Sequence, residues 1–155
     1  MQRHAARGAS GLVAVVGAHG GAGATTVALL LRPADAIDMR VRQWTEHAAR
    51  WAALPLVLVA RGTARGMADA VEAVAGAGSV GLRPAALVVV GDGWWPEPAS
   101  VRARTRMLSG RVGAVIRLPF VPRWRYVDDP LTGEPPAKVS AAVERIRASL
   151  DAAAR

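Results

Sequence analysis

The stretch Val16-Gly-Ala-His-Gly-Gly-Ala-Gly-Ala-Thr-Thr26 decides how this chain folds. Before it, residues 12–16 (Leu-Val-Ala-Val-Val) form a short apolar run without alternation, as expected of a strand covered on both faces. After it, residues 25–31 (Thr-Thr-Val-Ala-Leu-Leu-Leu) read as a helix ending near Pro33. Glycines at 20, 21 and 23 let the backbone curl until successive N–H groups face inward, and the helix start adds its positive end. A nest of this kind suits a phosphate. The competing reading is a tight strand-to-helix turn that binds nothing.

Outward from this turn, strands and helices alternate. Residues 1–10, small and basic, read as a frayed tail, and 11–155 as one domain. Asp38 is placed to cap a helix carrying Val41, Trp44, Ala48 and Trp51 at helical spacing. Residues 56–60 form a second buried-type strand. Met67, Ala70, Val71, Val74 and Ala75 mark a helix face expected to stop at Gly76 and Gly78. A third strand over 85–90 ends at Gly91-Asp92-Gly93, a helix follows over 98–108, and a fourth strand over 112–118. Five prolines between 119 and 136 predict an irregular loop. In the last helix, Val139, Val143, Ile146 and Leu150 share one side, with Arg147 and Asp151 as an i,i+4 pair on another. This order predicts a three-layer α/β domain around a mainly parallel four-stranded sheet.

Composition narrows the chemistry. The chain has 155 residues and no cysteine, which excludes disulfides, thiolate metal sites and a cysteine nucleophile. His4, His19 and His47 are too widely spaced to resemble a ligand cluster. No apolar run approaches the roughly 20 residues a membrane span needs, and no signal-peptide core is visible, so a cytoplasmic protein is expected. Ser79 lies in a Gly-x-Ser-x-Gly sequence, but with a helix before it and a strand after it, the reverse of a nucleophile elbow. No catalytic residue emerges.

The loop around residues 19–26 resembles the deviant Walker A loop of the ParA/MinD-type partition ATPases, Lys-Gly-Gly-x-Gly-Lys-Thr-Thr. The aligned residues are His19, Gly20, Gly21, Ala22, Gly23, Ala24, Thr25 and Thr26. The glycines and threonines match, while His19 replaces the signature lysine, Ala24 the P-loop lysine, and Ala18 the first glycine. The resemblance implies a reduced P-loop fold, ATP or GTP as ligand, and Mg²⁺ on the Thr25 hydroxyl. Without its lysines the loop implies a pseudo-NTPase acting through a partner protein, because the lysine's charge is needed most in the transition state. A positive charge from Arg61, Arg123 or Arg125 is the candidate substitute. The chain is also similar to small uncharacterised proteins of GC-rich bacteria, often tied to mobile elements, with the same His-Gly-Gly-Ala-Gly turn.

Other segments extend the likeness. Residues 56–60 look like the family's strand after Walker B. Asp92 stands where the family carries a base-contacting asparagine, and a carboxylate, which only accepts hydrogen bonds, suits guanine better than adenine. The run 118–125, beginning Leu-Pro119-Phe, looks like the family's proline loop beside the base. Between Leu31 and Leu56 there is no convincing Walker B strand, although Asp35 or Asp38 could be remnants.

Two further readings stand beside this one. Gly17-x-x-x-Gly21-x-Gly23 also resembles the cofactor turn of short-chain dehydrogenases, which would imply NAD(P). That family's Tyr-x-x-x-Lys is not met, since Tyr126 is followed by Pro130. Alternatively the nest is vestigial and the chain is a basic interaction module for nucleic acid or an acidic protein. The formal charge is +8. Arg102, Arg104, Arg106, Arg111, Arg117, Arg123 and Arg125 lie between Val101 and Val127 with no acidic residue among them; without these seven, 13 basic residues face 12 acidic ones. The excess positive charge therefore belongs to one helix–strand–loop unit. In a parallel sheet, loops leaving the carboxyl ends of the strands build the binding site. They carry Thr63, Arg65, Trp94, Trp95 and Trp124 to the rim with Thr25, Arg61 and Asp92. Arginines beside tryptophans suit phosphates and stacked rings.

Overall fold

The computed structural model describes residues 11–32 and 52–155. Four parallel strands, β1 (Ala14–Gly17), β2 (Leu56–Arg61), β3 (Ala86–Val90) and β4 (Val115–Leu118), lie side by side in chain order. Ala14 pairs with Leu56, Val57 with Ala86, and Leu87 with Val115. Among the described residues the helices are α1 (Ala24–Leu30), α2 (Ala64–Ser79), α3 (Ala99–Leu108) and α4 (Ala137–Ala153), with a single 3₁₀ turn at Pro122–Arg125. The three-layer α/β architecture is the one expected. The helix starting at Asp38, together with Asp35, His4, His47 and the 1–10 tail, lies outside the described residues. None of the described helices is long and apolar enough to cross a membrane.

The strands are apolar at nearly every position because both faces are covered. Val15, Val57, Val59, Val88 and Ile116 face a core closed by α1 and α4. Val16, Leu58, Ala60, Leu87 and Val89 face a second core closed by α2 and α3. Val139, Val143, Ile146 and Leu150 of α4 are buried as their spacing predicts.

Three local expectations are corrected. Helix α2 does not stop at Gly76 or Gly78 but continues to Ser79, because Gly81, at φ +77°, makes the turn instead. The Leu82 N–H then reaches back to Ala77 O and the Gly81 N–H to Gly78 O, which closes the helix. Strand β4 begins at Val115 rather than 112; the N–H of Gly113 is already committed to Pro84 O. Arg147 pairs with Glu144 at 3.3 Å rather than with Asp151. Both partners were within helical reach, and the pair formed is the i,i+3 one.

The helix distribution positions the site. The loop leaving β1 turns to one face, towards α1, and the loop leaving β2 turns to the other, towards α2. The same divergence recurs between β3, which leads to α3, and β4, which leads through residues 119–136 to α4. Adjacent loops that part to opposite faces leave a crevice at the carboxyl edge. This sheet has two.

Candidate functional site

At the first crevice the glycine turn is tied down by its neighbour strand. The Ala18 N–H donates to Val59 O at 2.8 Å. His19 is half-buried, and its Nε2 accepts the backbone N–H of Arg61 at 3.1 Å. An acceptor at Nε2 requires the proton of the neutral ring to sit on Nδ1, which donates to Gly20 O at 2.9 Å. His19 thus latches the β1 loop to the end of β2.

Arg61 completes the latch from its other end. Its Nε and Nη2 donate to Gly21 O at 3.2 and 3.0 Å, and its Nη1 lies 3.5 Å from the carboxylate of Asp92. A guanidinium has five N–H donors, so this one is fixed in place with donors to spare. It lies where the loop itself has no lysine.

Gly23 caps α1 with φ +100°, a conformation open to glycine but strained for other residues. Among the described residues no side-chain hydrogen bond caps the start of α1. Ala22 is buried in the core, Ala24 packs against it, and Gly20, Gly21 and Thr25 are exposed.

A groove of about 180 Å³ runs from Gly23 and Thr26 past Arg61 to Phe120, Trp124 and Arg125. Pro119 forms part of its wall. Arg125 stands 5.0 Å from the centroid of the Phe120 ring, within cation–π range. The predicted magnesium ligand Thr25 is not among the groove's walls, whereas Thr26 is. Arg123 turns away and donates to Glu134 O at 2.9 Å.

The chain was compared with models of known protein families and with curated protein sequences, and it matches none of them.

The second crevice is larger, about 770 Å³, and lies between the β3 and β4 loops. Trp94, Trp95 and Phe120 line it. Phe120 belongs to both cavities and meets Trp94 edge to face at 5.6 Å. Glu97 receives a two-pronged contact from Arg117, with Nε at 2.9 Å and Nη2 at 3.1 Å. That hydrogen-bonded carboxylate holds the Arg117 guanidinium above its ordinary pKa, with partial burial opposing.

The arginine-rich unit is divided by the fold. Arg102 donates to Glu97 O, and Arg104 to Ala64 O at 2.6 Å. With Arg117, Arg123 and Arg125 they are spent on loops at the carboxyl edge. Arg106 and Arg111 are exposed towards the opposite end of α3. Sequence reasoning missed Lys138 and Glu97 as cleft residues. The signal for Lys138 was its position, as the only lysine of the chain, two residues after Pro136 and at the start of the last helix.

Proposed function

We propose that this protein is a nucleotide-binding module of degenerate P-loop type that does not hydrolyse its ligand efficiently and acts through a partner protein. The reading rests on the groove that joins Gly23 and Thr26, through Arg61, to Phe120, Trp124 and Arg125. A phosphate set against the turn meets the Arg61 guanidinium, which offers the two-pronged geometry phosphates favour. An attached base reaches the Phe120–Arg125 stack. The resemblance to the ParA/MinD-type loop supports the same polarity, with ATP or GTP as the ligand.

Efficient hydrolysis has little support. The residue after Gly23 is Ala24 rather than lysine, and the Asp92 carboxylate is paired with Arg61 rather than free to orient a water. Among the described residues no group of three or more His, Asp or Glu side chains is arranged to hold a metal ion.

For the rival reading, a basic module for nucleic acid or an acidic protein, five of the seven clustered arginines are oriented by contacts within the chain, but among the described residues only Arg117 is paired with an acidic group, so the others keep their charge. For the dehydrogenase reading, Tyr126 is 86% exposed and lines neither cavity, a poor place for a general base.

A thermal-shift panel with ATP, GTP, ADP and GDP, each with magnesium at millimolar concentration, tests the proposal. Ligand at 100 times its Kd stabilises by about 2.7 kcal/mol, worth roughly 5–10 °C for a domain of this size. No shift with any of the four overturns it.

A further inference from the structure

We infer that the 770 Å³ cleft between the β3 and β4 loops is a second small-molecule site, separate from the nucleotide groove, for a planar aromatic ligand carrying a phosphate or carboxylate.

Size and position come first. The cleft sits where adjacent exit loops part to opposite faces, and its volume falls within the range of about 300–1,000 Å³ typical of small-molecule sites. The groove beside the glycine turn is smaller, about 180 Å³.

The walls specify a flat ring. Trp94 and Trp95 are 77% and 72% exposed, so two adjacent indoles present most of their surface to solvent at the cleft. They are held there rather than loose. Trp94 leans edge-on against Phe120 at 5.6 Å. Trp95 folds back on its own loop, close enough to Gly93 that a Cβ there would lie 2.8 Å from its Cε2 and Nε1. Rings fixed in advance lose little freedom when a planar ligand stacks on them.

The charges specify an anion. Two carboxylates border the cleft, and both already have cationic partners: Asp92 with Arg61, and Glu97 with Arg117. Lys138, which also lines the cleft, makes no ion pair among the described residues. With Arg61 counted as the partner of Asp92 from the neighbouring groove, the local balance is one positive charge. The starts of α2 and α4, which border the same space, add their positive ends to it.

Flavin mononucleotide and riboflavin make a suitable probe pair, because they share one planar ring system and differ by a phosphate. Titrated against the full chain and followed by flavin fluorescence, the mononucleotide should bind saturably and riboflavin at least about tenfold more weakly. Trp94→Ala, Trp95→Ala and Lys138→Glu should each weaken the mononucleotide about tenfold or more, while Thr26→Glu, which alters the groove and not the cleft, leaves it within about twofold. All three cleft residues are exposed, and a Glu in the first turn of a helix is favourable, so circular-dichroism melts should match the parent chain. Three results overturn the inference: no saturable binding of the mononucleotide at millimolar concentration; equal binding of the two flavins; or binding lost in Thr26→Glu but kept in the cleft variants, which would place the ligand in the groove. Because the readout is separate from the ATP/GTP panel, either site can fail alone.

Discussion

The backbone N–H of Arg61 donates to the Nε2 atom of His19 at 3.1 Å, which joins the last residue of β2 to the turn after β1. His19 is thus employed in holding the turn's shape. His19→Ala removes the acceptor and leaves a partly buried N–H without a partner, a loss of about 1–2 kcal/mol. The measurement is urea unfolding: a lower midpoint with an unchanged slope is expected. Stability equal to the parent would show that the latch carries no weight.

The same corner makes a glycine in α2 indispensable. Gly66 occupies the first turn of α2, donating its N–H to the Thr63 Oγ1 cap at 2.9 Å. A Cβ there would overlap Arg61 O and sit 3.0 Å from both His19 Nε2 and Thr63 Oγ1. Helix propensity alone favours Gly→Ala by about 1 kcal/mol. Overlap with a backbone carbonyl costs about 1–3 kcal/mol and is not easily relieved, since the strand end cannot move away. Gly66→Ala should therefore destabilise, and a thermal melt showing a gain would refute this.

Two glycines further along should respond with opposite signs. Gly78 lies inside α2 with nothing within 4 Å of the position a Cβ would take, so Gly78→Ala should stabilise by about 0.5–1 kcal/mol. Gly81 has open space too, but its φ of +77° makes alanine unfavourable by about 1 kcal/mol. Melting the two variants side by side checks the pair. Equal shifts would mean that backbone conformation does not govern the helix end.

This pair also shows how far sequence reading reached. The strand–turn–helix around residues 12–31 was legible because a glycine cluster between two apolar runs has few other solutions. So was the inward face of α4, whose apolar residues recur at 3.6-residue spacing. The end of α2 was not legible, because Gly76, Gly78 and Gly81 look alike in one dimension and only backbone conformation separates them. Nor was the division of the arginine cluster. Proximity in sequence says nothing about which guanidinium finds a carbonyl, and Arg104 finds that of Ala64, forty positions away. Exposure at Trp94 and Trp95 was equally hidden, since adjacent aromatic residues in a loop can seal it or stand out from it.

The Arg117–Glu97 pair should add little to stability and little pH dependence. Its side chains are 54% and 25% exposed, so solvent screening limits the pair to about 0.5–1 kcal/mol. The Arg117 pKa is raised, so its contribution is fully present below the unfolded-state value and is lost only as pH rises through the folded one. Both values lie in strong alkali. Glu97→Gln should thus lower the melting temperature by at most a few degrees, with no pH dependence from Arg117 between pH 6 and 9. A difference that changed steeply across that interval and could be traced to Arg117 would contradict the assignment.

Arg61 offers the sharpest separation of structure from binding. Its guanidinium gives two hydrogen bonds to Gly21 O and approaches Asp92, yet the side chain is 35% exposed and the carboxylate 42%. Replacing it by alanine should therefore cost about 1 kcal/mol or less in stability. Nucleotide binding should suffer more, because one charged contact to phosphate is worth about 1.5–3 kcal/mol, or roughly tenfold to more than a hundredfold in Kd. Lysine in its place keeps the charge but loses the fork that spans Gly21 and Asp92, so Arg61→Lys should restore only part of the affinity. Isothermal titration of all three chains with the nucleotide that gives the largest thermal shift measures this. Binding unchanged in Arg61→Ala would remove Arg61 from the site; full recovery with lysine would show that charge alone, not the fork, is what the loop requires.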